Sequence, residues 1–299
     1  MKQFLPLLLC VLCTACGGGG GASGIPPGPA PWERPDVDRP VVEGNQQGLE
    51  LRVWAIEDQD DLIAEMIDSY QRRPTPMLDS QRTAWRQSGL MPISIPIDEL
   101  NLARGRMLLV GPEQQDWFGV LPDWRETLPG RRVESGQLLS LADGQMRTQR
   151  GKLRMLTRCW VVPGAEGPEM QTELCVQLQR WQRPSSVVDF SVGDQTPIEK
   201  QGLIFPELSA SFVMRKDEAL VLVPIAPEFD PMEIINPERA AAVNAEAGPP
   251  LPAVPTVGEA MLTSVEAGGV APVRRRAIVV LIARLPKEYR LLSQLGDQR

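Results

Sequence analysis

The chain has 299 residues, 42% of them hydrophobic, which suffices for a real core in one large domain or two small ones and excludes a disordered protein. Its formal net charge of −7 argues against nucleic acid as a partner, because the phosphate backbone rewards clustered Lys and Arg. There is no His, which rules out Ser-His-Asp and Cys-His arrangements and His-ligated zinc or copper, and removes the commonest general base near neutral pH.

Residues 1–15 read as a targeting segment, with Lys2 as a minimal positive region and an apolar run over 4–12. The small pair Thr14-Ala15 leads into Cys16, and five glycines, Gly17 to Gly21, follow at once. This pattern resembles the lipobox of bacterial lipoproteins, in which signal peptidase II cuts before a cysteine that receives a diacylglyceryl group. It departs from the family in having Cys13, where Leu is usual, three residues before Cys16. The resemblance implies lipidation of Cys16 and a body held in the periplasm. Gly17 after the cysteine points to the outer membrane rather than the inner. An ordinary secretory signal cut near Ala15 is the alternative. An uncleaved anchor falls short, because the apolar run does not reach the ~20 residues that span a bilayer as a helix.

Residues 16–48 form a tether, glycines first and then Pro26, Pro27, Pro29, Pro31, Pro35 and Pro40. Such a segment buries too little apolar surface to fold alone, and as a flexible coil it would hold the body roughly 30 Å from the lipid.

The expected fold class is α+β, β-rich with antiparallel hairpins and two short N-terminal helices. The main body, 49–236, opens with a strand over 49–57, where Leu49, Leu51, Val53 and Ala55 alternate with more polar neighbours. A helix over 59–72 follows, with Leu62, Ile63, Met66, Ile67 and Tyr70 in one apolar stripe. Asp58, Asp60 and Asp61 sit at its start, where capping and dipole compensation account for them better than a pair of catalytic carboxylates or a cation site. A second helix over 79–88 stops at Gly89 and packs through Trp85. Strands are then expected over 93–97, 106–110, 137–141, 145–148, 153–162, 173–181, 209–216 and 219–225, with hairpin turns at Asp143-Gly144 and Asp217-Glu218.

Cleavage and lipidation would use Cys10, Cys13 and Cys16, leaving Cys159 and Cys175 in the body. An even pair in an exported protein is expected to be oxidised. If the strands around residues 163–169 pair so that residue numbers sum to 334, Cys159 faces Cys175, while Leu156, Trp160, Leu174 and Leu178 share the other face. A cross-strand disulfide in that register would add ~3 kcal/mol. The alternative is two unpaired thiols.

Residues 237–256 are rich in Ala and Pro and read as an exposed loop. A C-terminal helix-strand unit, 257–299, packs on the body, with a helix over 257–262 and a strand over 277–285. Arg274, Arg275 and Arg276 precede that strand as gatekeepers against aggregation, with contact to anionic lipid as the other reading.

No short catalytic motif, P-loop, EF-hand or zinc-type cysteine cluster is present. No cofactor, metal ligand or catalytic residue is expected. The tryptophans, Trp54, Trp85, Trp117, Trp124, Trp160 and Trp181 among them, read as packing residues before a binding groove. The expectation is a non-enzymatic envelope lipoprotein, a structural or accessory binding module whose partners are the membrane, through its lipid, and another envelope protein. The alternatives are an exported hydrolase acting through carboxylates, which leave no short signature, and a solute-binding component.

Overall fold

The computed structural model describes residues 47–180, 196–226, 229–235, 254–266 and 273–286. The leader, Cys16, almost all of the tether, Trp181 and most of the 237–256 loop lie outside these residues.

The body is α+β and mostly antiparallel sheet, as its alternating strands and few helices imply. Its first sheet has the order β2 (Leu90–Pro96), β10 (Glu218–Pro224), β12 (Val273–Arg284), β1 (Gly48–Glu57) and β3 (Gln114–Gly119). A short β11 (Thr263–Glu266) pairs with the start of β12 and continues the row beyond β10. The second sheet runs β4 (Leu121–Val133), β7 (Gly151–Gly164), β8 (Gly167–Arg180) and β9 (Gly202–Met214). A separate hairpin joins β5 (Leu138–Leu141) to β6 (Gly144–Arg147).

The two sheets face each other across one core. Leu51 and Val53 of β1 pair with Leu281 and Val279 of β12, and this face meets Leu153, Met155, Leu174 and Val176 of the second sheet. On the opposite face of the first sheet, Trp54, Ile278, Val280, Val221 and Ile93 meet α1 (Asp60–Tyr70), α3 (Leu100–Gly105) and the region of α4 (Pro231–Ile235). The result is three layers, helices on sheet on sheet, in which the first sheet is covered on both faces. That explains β12: its run from Ala277 to Ala283 is apolar at every position and wholly buried. A strand with one wet face would alternate.

The C-terminal strand is therefore the centre of the first sheet, between β10 and β1, not a unit packed on a finished body. Asp217 turns the chain from one sheet to the other, so the expected hairpin there is absent, whereas the turn before Gly144 does close a hairpin. The strand expected over 106–110 is instead the segment after α3, touching β1 through a bridge from Leu109 to Ile56.

Helix α2 (Asp79–Gln87) ends as its sequence implies. Gly89 takes φ +85, and Trp85 is fully buried. The same Gly89 leaves room for Thr256, the N-cap of α5 (Val257–Leu262), since a Cβ at Gly89 would lie 1.8 Å from Thr256 Oγ1.

Strands β7 and β8 form the long hairpin, but in another register. Gly164 faces Gly167 across the two residues Ala165 and Glu166, and paired residue numbers sum to 331. Cys159 lies opposite Thr172 and Cys175 opposite Leu156, so the thiols sit on opposite faces of the sheet and are not bonded. The tight turn sets this register, and an odd shift exchanges the faces of one strand relative to the other.

Candidate functional site

Several charged side chains of the body are buried and tied into internal clusters. Arg276 is 3% exposed and reaches Asp58, Asp60 Oδ1 at 2.7 Å and the Pro224 carbonyl. Arg274 reaches Asp58 at 3.0 Å and Glu259 at 2.6 Å. Glu259 also accepts from the Thr256 amide, while Thr256 Oγ1 accepts from the Glu259 amide, a capping box that starts α5. Arg274 and Arg276 are thus structural ties between β12, β1, α1 and α5, not gatekeepers or lipid contacts. Asp60 and Asp61 lie in the first turn of α1, as dipole compensation implies, but the expected capping is absent: Gln59 is the N-cap, no side chain caps the helix, and Asp58 precedes it. Burial pushes the Asp58 carboxyl above its ordinary value of 3.8, against the pull of Arg276 and Arg274. Desolvation therefore outweighs the ion pairs at this position.

A second cluster lies on β1. Glu50 is completely buried and binds Arg52 at 2.6 Å, Gln115 at 2.8 Å and Arg284 of β12. Glu113 accepts from the Trp54 indole at 3.0 Å and pairs with Arg104 at 3.3 Å. A third cluster fixes the short 3-10 turn Ile198–Lys200 to the outer face of β7 and β8. Arg154, 2% exposed, donates to Gln177 and the Ile198 carbonyl and pairs with Glu126, while Gln177 donates to the Glu199 carbonyl.

Burial also decides the thiol chemistry. Desolvation pushes Cys159 up to about 11 and Cys175 up to about 12, so neither is a nucleophile near neutral pH. Trp54 and Trp85 are core residues. Trp124 and Trp160 are half-buried on the outer face of the second sheet, where the Arg158 guanidinium lies 5.0 and 5.8 Å from their ring centres and pairs with Glu173 at 2.7 Å.

One place differs from these closed clusters. Where β8 ends, β9 begins and β6 runs into the turn before β7, side chains line a hollow of about 120 Å³. Its apolar surface comes from Met146, Leu178 and Leu203, and its polar rim from Arg147, Gln149, Arg150 and Arg180. Leu178 is 4% exposed and Leu203 46%, so one side of the hollow is open. Two glycines keep the strands close beside it. A Cβ at Gly151 would meet the Gln179 carbonyl at 2.3 Å, and one at Gly202 would meet the Leu178 carbonyl at 2.3 Å.

The rim is electropositive within an acidic chain. Arg150 stands 3.8 Å from Glu134, a long contact between two largely exposed side chains. Neither Arg147 nor Arg180 has a carboxylate within ion-pair distance among the described residues. A guanidinium cannot lose its proton near neutral pH, so the hollow offers anion recognition and no proton transfer. None of its residues carries a short motif, and the sequence reading did not find it. The only signal was the high arginine content of 147–180, which is spread over three strand ends. Among the described residues no group of His, Cys, Asp and Glu has the geometry to hold a metal ion. No protein-family model, curated protein or solved structure matches the chain.

Proposed function

We propose that this chain is an exported, non-enzymatic binding module of the bacterial cell envelope, cleaved before Cys16, acylated there and joined to its body by the tether that ends at residue 48. The observation that carries the reading is the leader, an apolar run too brief to span a bilayer that ends at Thr14-Ala15-Cys16 and is followed by glycines and prolines. The body would sit in the periplasm, at the outer membrane rather than the inner, with another envelope component as its partner.

Binding is favoured over carboxylate-dependent hydrolysis by the state of the interior carboxylates. Glu50, Asp58 and Glu259 are each held by arginine and serve to join elements, whereas a hydrolytic pair needs one acid and one base facing substrate. The test is lipid labelling in the producing cell with an alkyne-tagged fatty acid. The parent chain should take up label, and Cys16→Ala should take up none and accumulate as the precursor. Normal processing of Cys16→Ala would overturn the proposal.

A further inference from the structure

We propose that the hollow rimmed by Arg147, Arg150 and Arg180 is a binding site for a phosphate ester, the phosphate on the arginines and the first carbons of its substituent on Met146, Leu178 and Leu203. The inference concerns the folded body and does not depend on acylation of Cys16.

The buried guanidinia of Arg154 and Arg276 are matched by Glu126, Asp58 and Asp60. At the hollow the balance is different: among the described residues Arg147 and Arg180 have no carboxylate within ion-pair distance, and Arg150 has Glu134 at 3.8 Å beside its other contacts. Three cations converging on one concavity favour an anion of more than one charge. The planar, fixed fork of arginine suits the oxygens of a phosphate and pairs with them two at a time.

Free inorganic phosphate is hydrated all round and gains nothing from an apolar wall. Here Leu178, Met146 and Leu203 line the hollow together with the arginines, and Leu203 keeps 46% of its surface exposed at the start of a strand. Covering a leucine contributes roughly 1.5 to 3 kcal/mol at full burial, and a ligand with carbon next to its phosphate would recover part of that. Size limits what enters. The hollow of about 120 Å³ is a little smaller than engineered cavities of about 150 Å³ that take a benzene ring. It is well below the ~300 Å³ and more of pockets for drug-sized ligands. A phosphate and a few carbons fit, and the rest of any larger ester would lie outside.

The pocket rests on its backbone. With Gly151 and Gly202 pressed against the Leu178–Gln179 segment, side-chain changes at the rim leave the strands in place. Arg147 and Arg180 are exposed and make no ion pair among the described residues, so their replacement by Gln should not affect folding.

The experiment is titration of the full chain, observed by calorimetry, with hexyl phosphate, inorganic phosphate and hexanol in parallel. Hexyl phosphate should bind more tightly than inorganic phosphate, and hexanol should not bind measurably. The double variant Arg147→Gln/Arg180→Gln should weaken hexyl phosphate at least tenfold with an unchanged thermal midpoint. Leu203→Gln should weaken hexyl phosphate and leave inorganic phosphate as it was. Equal affinity for hexyl and inorganic phosphate would overturn the ester and its apolar wall. Unchanged affinity in the arginine variant, or no binding of either phosphate, would overturn the site.

Discussion

Arg276 of β12 donates to Asp60 of α1 at 2.7 Å, joining the central strand of the first sheet to the helix layer that covers it. The two ends of this contact are not equivalent, because the Arg276 side chain is 3% exposed and that of Asp60 is 56% exposed. Removing the buried partner takes away the contacts to Asp58, Asp60 and the Pro224 carbonyl together, with Asp58 left to Arg274 alone, whereas removing the exposed one leaves Arg276 its ion pair with Asp58. Arg276→Ala should therefore destabilise the fold by roughly 1.5 to 3 kcal/mol in urea unfolding, and Asp60→Asn by about 1 kcal/mol or less.

Asp58, between the same arginines, gives a pH dependence of definite sign. Its carboxyl is raised above 3.8 by burial, so the folded state holds the proton more tightly than the unfolded state. Its contribution is most favourable below that value and is lost as pH rises through the folded pKa. Asp58→Asn mimics the protonated form. Relative to the parent chain, the variant should gain stability as pH is raised from about 4 toward neutrality, as read from urea midpoints at a series of pH values. A parent that gains on the variant over that range would contradict the assignment.

The thiols should be reduced and inert. With Cys159 near 11, its thiolate fraction at pH 7 is on the order of one in ten thousand. Iodoacetamide should leave both Cys159 and Cys175 untouched in the native protein, and both should react in urea with no reductant present. Protection in urea that a reductant removes would restore the disulfide.

Gly89 and Gly144 both have positive φ, +85 and +140. Only Gly89 is crowded, by Thr256. Gly89→Ala should cost ~1 to 3 kcal/mol more than Gly144→Ala, because it adds overpacking at the cap of α5 to the backbone strain the two share. Thr256→Ala should cost about 0.5 to 2 kcal/mol by loss of the cap alone.

Segments whose burial follows a simple rule were legible in the sequence: the alternating β1, the striped α1, α2 with its Gly89 stop, and the continuous apolar run of β12. Strand β4 was not, because Pro122, Pro129 and Gly130 interrupt it. It is an edge strand whose pairing to β7 shifts at several points, and prolines are tolerated there. The β7–β8 register was misread because both faces are buried near Leu156 and Cys175, where Arg154 and Gln177 lie under the Ile198–Lys200 turn. Alternation gives no guide when polar residues are buried too. The hollow was invisible for a different reason: Met146, Leu178 and Leu203 belong to three strands that meet only in the fold.

Processing and acylation at Cys16 are read together in the intact mass of the chain isolated from the producing cell. The expected species is a polypeptide starting at Cys16, heavier than residues 16–299 by a diacylglyceryl group, with or without an amide-linked acyl chain. A mass equal to the unmodified chain with Met1 still present would contradict it.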